Sequence, residues 1–148
     1  MNATSEVTND ISHLITGIDH VGIAVPDLQQ SLSFYQDTLG LDCHHTEVNE
    51  EQGVEEAMLR FSAGTSEIQL LAPLGPDTTI GRFIAKNGPG IQQMALSVTD
   101  IRAVARILED RGIRMLYPEP RTGTAGSLVN FAHPRDCGGV LLEFVQHS

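Results

Sequence analysis

The sequence predicts an α+β protein built of two paired β-α-β-β-β modules, and three observations predict it. One element is written twice: Ile18-Asp-His-Val-Gly-Ile-Ala-Val25 with Pro-Asp-Leu28 returns as Ile91-Gln-Gln-Met-Ala-Leu-Ser-Val98 with Thr-Asp-Ile101, half the chain later. Both copies alternate bulky and small or polar residues, the period of a strand with two different faces. Both modules also close alike, on Ile68-Gln-Leu-Leu71 in the first and Leu142-Glu-Phe-Val145 in the second.

In the first strand Asp19, Val21, Ile23 and Val25 share one face, suited to packing under a helix. Ile18, His20, Gly22 and Ala24 share the other, where small residues leave room for a neighbour. Asp27 follows as a helix N-cap, because its short carboxylate can accept from the free N–H groups of the first turn. Leu28, Leu32, Tyr35 and Leu39 form the apolar stripe of that helix and Gly40 closes it. Strand-like runs at 57–61 and 67–71 complete the module. A Gly- and Pro-rich linker, residues 75–90, leads to the second copy, with a short helix expected from Arg82 to Lys86.

In the second copy Met94, Leu96 and Val98 oppose Gln93, Ala95 and Ser97. Asp100 is the expected N-cap of a helix with apolar positions Ile101, Val104, Ala105 and Leu108, ended by Gly112. Strands are expected at 128–132 and 140–145. The two modules, 17–74 and 91–146, make a single domain over residues 17–146, each half being marginal alone. Residues 1–16 lack the basic start and apolar run of a signal peptide and read as a flexible N-terminal extension.

With 148 residues and a net charge of −10, the chain lacks the basic stripe that nucleic-acid binding needs. No apolar run is long enough to span a membrane. Cys43 and Cys137 show no metal-type spacing, so they are expected as free thiols in a reducing cytoplasm. The cations Arg82, Lys86, Arg121 and Arg135, each near a loop or turn, are candidates to meet a phosphate-bearing ligand, with plain surface charge as the competing reading.

Four polar side chains occupy matching positions in otherwise apolar strands: His20 and Gln93 at the start of the repeats, Gln69 and Glu143 at the end. A carboxylate buried like this is costly unless it is paired or bound to a cation. Four such groups in symmetric places read as a metal site better than as satisfied core residues.

Together with Glu47-Val-Asn-Glu-Glu-Gln-Gly-Val54, Glu56, Ile68 to Leu74, and Asn130-Phe-Ala-His-Pro-Arg-Asp136 running into Leu142 to Val145, these residues resemble the vicinal oxygen chelate superfamily (glyoxalase, bleomycin resistance and dioxygenase proteins). Within it the chain resembles the methylmalonyl-CoA epimerase family. The resemblance covers residues 17–146 and implies paired modules forming a cupped mixed sheet, a homodimer and an acyl-CoA thioester substrate. It implies a divalent metal on His20, Gln69, Gln93 and Glu143, and Glu56 and Glu143 as the two acid/base groups at C2 of methylmalonyl-CoA. Position 93 is usually histidine in the family. An amide oxygen there favours harder ions, so Co2+, then Mn2+ or Mg2+, come ahead of Zn2+.

Taken alone, Glu56 sits in an acidic run with Glu50, Glu51 and Glu55 that would ordinarily be a solvated face. His44 and His45 are adjacent, face opposite ways in a strand and do not share a metal. His133, before Pro134, reads as a turn residue or as a donor to a ligand of the metal. The glycines of 121–127 mark a loop able to close over substrate. Two other readings stay open: a glyoxalase-type isomerase acting on a glutathione adduct, and a metal-free small-molecule binding protein, for which the loss of histidine at 93 would be natural. An iron-dependent ring-cleaving oxygenase fits less well, since that chemistry favours two histidines and one carboxylate.

Overall fold

A computed structural model describes residues 10–148. The strands are β1 (Ile15–Ala24), β2 (Asp42–Asn49), β3 (Val54–Arg60), β4 (Glu67–Pro73), β5 (Gly90–Val98), β6 (Arg121–Thr122), β7 (Leu128–Ala132) and β8 (Leu142–Gln146). The helices are α1 (Leu28–Leu32), α2 (Thr79–Asn87) and α3 (Ile101–Asp110). This is the α+β, paired β-α-β-β-β order that the repeat implies. The chain divides into two compact units, residues 19–93 and residues 94–148 joined by the described residues up to Ile18.

In unit 19–93 the strands run β2-β3-β4-β1. β1 and β4 are parallel with Gly22 opposite Gln69, while β3 is antiparallel to both β4 and β2. One sheet face packs under α1, where Val25, Leu28, Leu32, Ala57, Leu59, Leu70 and Ala72 form a core. Burying a side chain such as Leu59 or Leu70, both fully enclosed, contributes about 1.5–3 kcal/mol. Asp27 caps α1 by accepting from Gln30 N at 2.9 Å, as its place before the stripe predicts.

In the other unit the order is β5-β8-β7-β6, again with a parallel central pair, Ala95 standing opposite Glu143. The register therefore repeats as the sequence does: Gly22 and Gln69 in one unit, Ala95 and Glu143 in the other. Asp100 caps α3 by accepting from Ala103 N at 3.0 Å, and Ile101 and Val104 are fully buried beneath it. Asn130, 1% exposed, pairs with both backbone groups of Tyr117 at 3.1 Å, doing for a loop what a strand partner would do. Arg114 donates two hydrogen bonds from its guanidinium to Asp136 and holds that carboxyl down at about 2, which ties the His133–Asp136 turn to the segment that follows α3.

Several local expectations need adjustment. Of the extension expected over residues 1–16, residues 1–9 lie outside the described residues. Ser12–Leu14 form one 3-10 turn, Ile15 and Thr16 already belong to β1, and Ile11, Leu14 and Ile15 pack against the core under α3. The helix after β1 loosens into a π-helical stretch, Ser33–Thr38, with Leu39 N bonding to Phe34 O at 3.1 Å. A wider turn rotates later residues off the α-helical stripe, so Leu39, expected in the core, is 53% exposed. Gly40 still ends the helix at φ 77. The linker holds a full helix, α2, with Thr78 as N-cap. Segment 121–127 begins with the two-residue β6 and continues as a 3-10 turn in which Ala125 takes a left-handed φ of 55. Both cysteines are free thiols, and burial pushes the Cys137 thiol up. Among the described residues no helix is long and apolar enough to cross a membrane.

Candidate active site

The sheet face of unit 19–93 turned away from α1 carries a row of buried polar side chains. His20 is 4% exposed, Glu56 3%, Gln69 4% and Gln93 8%. Each stands on a strand whose other face feeds the core, so strand alternation alone brings them to one side. Glu56 shows this most clearly. Its run-mates Glu50 and Glu51 are exposed, but Glu56 lies inside β3 beside Met58 and points with it into the molecule.

These groups are joined end to end. Gln69 Nε2 donates to Glu56 Oε2 at 3.2 Å, and Gln93 Nε2 donates to Gln69 Oε1 at 3.3 Å. Gln93 Nε2 also meets His20 Nε2 at 3.5 Å, and His20 Nδ1 meets Asp19 Oδ2 at 2.7 Å. The chain of donors settles which atom of each group faces inward. An ionised carboxylate only accepts, so Glu56 takes the NH2 end of Gln69 and leaves its carbonyl oxygen facing Gln93. With Asp19 accepting the Nδ1 proton of His20, Nε2 is the acceptor end of the ring, and it faces the Gln93 NH2 group. Asp19 is 8% exposed, and this bond, closed between neighbours on the strand, is a pairing that alternation alone does not reveal.

Gly22 makes room for this arrangement. A Cβ at position 22 would lie 2.6 Å from Gln93 Cγ, closer than atoms can pack. Gly22→Ala therefore pushes Gln93 out of the row. It should cost about 1–3 kcal/mol of stability by urea unfolding, most of it recovered in the Gly22→Ala/Gln93→Ala double variant.

The donor set suits a cation. Ligands held at about 2.1 Å from a tetrahedral or octahedral ion stand roughly 3.0–3.4 Å from one another. The separations of Gln93 Nε2 from Gln69 Oε1 and His20 Nε2, 3.3 and 3.5 Å, fall close to that range. Turning over the Gln93 amide puts its carbonyl oxygen where the nitrogen now lies, and the two ends have nearly the same shape. Among the described residues no three His, Cys, Asp or Glu side chains gather into a metal-binding group; the row relies on amides instead.

Glu143 belongs to the other unit, where it is 6% exposed on β8 between Ala95 and Phe131. It is the register equivalent of Gln69. The remaining sequence candidates have local roles. His44 pairs with Glu67, and His45 with Glu47 at 2.6 Å; the opposite facing expected of neighbours does not hold, because a bulge between Cys43 and His45 breaks the alternation of β2 and His44 reaches Glu67 on the face that also carries Gln69. His133 Nδ1 accepts from Arg135 N at 3.2 Å, a turn residue. The Arg121 guanidinium lies 3.9 Å over the Tyr117 ring, and Arg82 donates to the backbone of Asp77. Arg135 and Lys86 are exposed. Linear reading gave Asp19, Glu47 and His45 no place in the polar row. Adjacent Asp-His was a usable signal for the first; the other two emerge only from strand register.

Residues 19–131 match the family model of the Glyoxalase/Bleomycin resistance protein/Dioxygenase superfamily, and the chain belongs to it. Mitochondrial methylmalonyl-CoA epimerase of Mus musculus is 38% identical over 130 residues, covering 87% of this chain and 72% of that one. The crystal structure of methylmalonyl-CoA epimerase from Mycobacterium tuberculosis is 47% identical with a TM-score of 0.89, covering 91% of this chain and 90% of its own. A methylmalonyl-CoA epimerase solved in complex with methylmalonyl-CoA and NH4+ is also 47% identical, with a TM-score of 0.87 over 90% of this chain and 96% of that one. Within the superfamily the chain is a member of the methylmalonyl-CoA epimerase family, an enzyme of the isomerase class.

Proposed function

We propose that this enzyme interconverts (2R)- and (2S)-methylmalonyl-CoA by moving a proton at C2, with Glu56 and Glu143 as its two acid/base groups. The observation that carries this reading is the buried, hydrogen-bonded row from Glu56 to His20, set in strands that are otherwise apolar. C2 lies between a thioester carbonyl and a carboxylate, so its proton can leave once the enolate formed is stabilised. One carboxylate removes the proton from one face, and the other delivers a proton to the opposite face. Glu56 suits the first role because it is buried and Gln69 Nε2 holds its carboxylate in place from one side. Glu143 takes the second by its equivalence to Gln69 in the repeated register and by the family resemblance.

His20, Gln69, Gln93 and Glu143 would hold a divalent metal, Co2+ ahead of Mn2+, Mg2+ or Zn2+ because two of the four donors are amide oxygens. Such an ion, when bound, supplies positive charge against the oxygen on which enolate charge develops. The burial of the row keeps water from that charge. Two copies of the chain form a homodimer. Ile18 and Ile91, equivalent in the repeat and 45% and 68% exposed, leave matching apolar surface for a second copy. Two free thiols suit a reducing cytoplasm.

The test is C2 exchange in deuterated water. With methylmalonyl-CoA and added Co2+, deuterium should enter C2 at the rate of epimerisation, stop with chelator and return with metal. A folded protein that exchanges nothing under any metal would remove the proposal.

A further inference from the structure

Epimerisation by two carboxylates leaves the enzyme in the wrong protonation state for its next substrate of the same configuration. When Glu56 has taken the C2 proton, the C–H electron pair stays in the enolate and Glu143 gives its own proton to the other face. Glu56 then holds a proton it must lose, from a position only 3% exposed. The polar row continues beyond it toward solvent. In the antiparallel β2–β3 ladder Glu47 stands directly opposite Glu56, and His45 stands opposite Met58 on the same face. Side chains of directly opposed residues are about 4.5–5.5 Å apart at Cβ, within reach for two glutamates directly or through one water. His45 Nε2 lies 2.6 Å from Glu47 Oε1, and the two side chains are 34% and 29% exposed. β2 is the terminal strand of its unit, so this pair sits at the sheet edge.

We infer that Glu47 and His45 form a proton-return path between Glu56 and solvent. The inference rests on Glu56 being one of the acid/base groups. Two opposed carboxylates repel when both are ionised, and an imidazole bonded to the outer one allows the three to share a proton. Opposite His45 and Asn49 stand Met58 and Val54, so Glu56 is the carboxylate that the pair faces on β3. In the return step the Glu56 O–H breaks and its proton passes to Glu47. Glu47 passes it to the His45 imidazole, which releases it to water; no other reactant is consumed. Neither residue touches the reacting carbon in this scheme. Both are relay residues acting through Glu56.

The test compares deuterium in the unreacted epimer with deuterium in the product, starting from each epimer in turn in deuterated water. In the direction in which Glu56 takes the C2 proton, an open relay lets solvent deuterium reach Glu56 and return to unreacted substrate. His45→Ala and Glu47→Gln should lower that ratio on the order of tenfold, in this direction alone, and imidazole buffer should restore it in His45→Ala. His13→Ala, on the 3-10 turn Ser12–Leu14, serves as control and should leave the ratio unchanged. A ratio unaltered in both directions, or lowered equally in both, would overturn the relay. Glu56→Gln run alongside separates the two readings. If it abolishes exchange of the epimer whose proton Glu56 is assigned to take, while the relay variants keep the wild-type ratio, the acid/base assignment stands and the relay falls. If Glu56→Gln still exchanges the epimer whose proton Glu56 is assigned to take, the assignment beneath the relay falls first.

Discussion

Glu56→Gln should lower kcat by roughly 10²–10⁴-fold, the usual cost of losing a positioned proton-transfer group, while the protein stays folded. The substitution keeps the shape of the side chain and an oxygen able to accept from Gln69 Nε2, now 3.2 Å from Glu56 Oε2. What it removes is the capacity to take a proton. It also removes a charge from a site that is 3% exposed. Burying a charge is unfavourable unless its partners compensate, so the thermal midpoint should hold or rise. Loss of activity with unchanged or higher stability marks a group that works at the expense of the fold. A variant whose activity falls only in step with its stability would instead make Glu56 a structural member of the row. Substrate binding distinguishes these cases further: KM for methylmalonyl-CoA should change far less than kcat, because the lost interaction belongs to the transition state.

Much of this architecture was legible in the chain, because the repeat supplied its own comparison. His20 and Gln93, or Gln69 and Glu143, mean little one at a time; their equivalence made each an anomaly in an apolar strand. The N-caps Asp27 and Asp100 could be read because a cap needs only a short polar side chain before an apolar stripe. The departure at Leu39 could not, since whether a helix widens into a π turn depends on what its last turn packs against. The two-residue β6 was too short for any periodicity to register. At the site, composition placed Glu56 on a solvated face with Glu50 and Glu51, and only the family resemblance argued otherwise. The decisive fact is which face of β3 meets the interior, and the pairing with β4 sets that. Glu47 and His45 are the same lesson on β2: their relation to Glu56 lies in cross-strand register, which spacing along one strand does not carry.

Gln93→His should raise the affinity for Zn2+ and Co2+ by at least roughly tenfold, since even partners one shell removed from a metal change affinity by about 10–100-fold. The physical reason lies in the present hydrogen bonds. The Gln93 NH2 group already points at the two acceptors a cation would use, Gln69 Oε1 at 3.3 Å and His20 Nε2 at 3.5 Å. A metal must therefore displace those contacts and turn the amide over before it gains an oxygen donor. Histidine would present an imidazole lone pair, the better ligand for borderline ions, and would have no NH2 group to keep in place. Gly22 leaves the space above β1 in which either side chain must lie. Titration with Co2+, followed by its visible absorption and by competition with a chelator, measures the change without reference to turnover. Each imidazole must shed its proton to bind, so the affinity of the variant should also fall more steeply on acidification than that of the parent protein. Equal affinities and equal pH slopes would mean that position 93 does not contact the ion. The ligand set would then reduce to His20, Gln69 and Glu143, with Gln93 left as the amide that orients the other two.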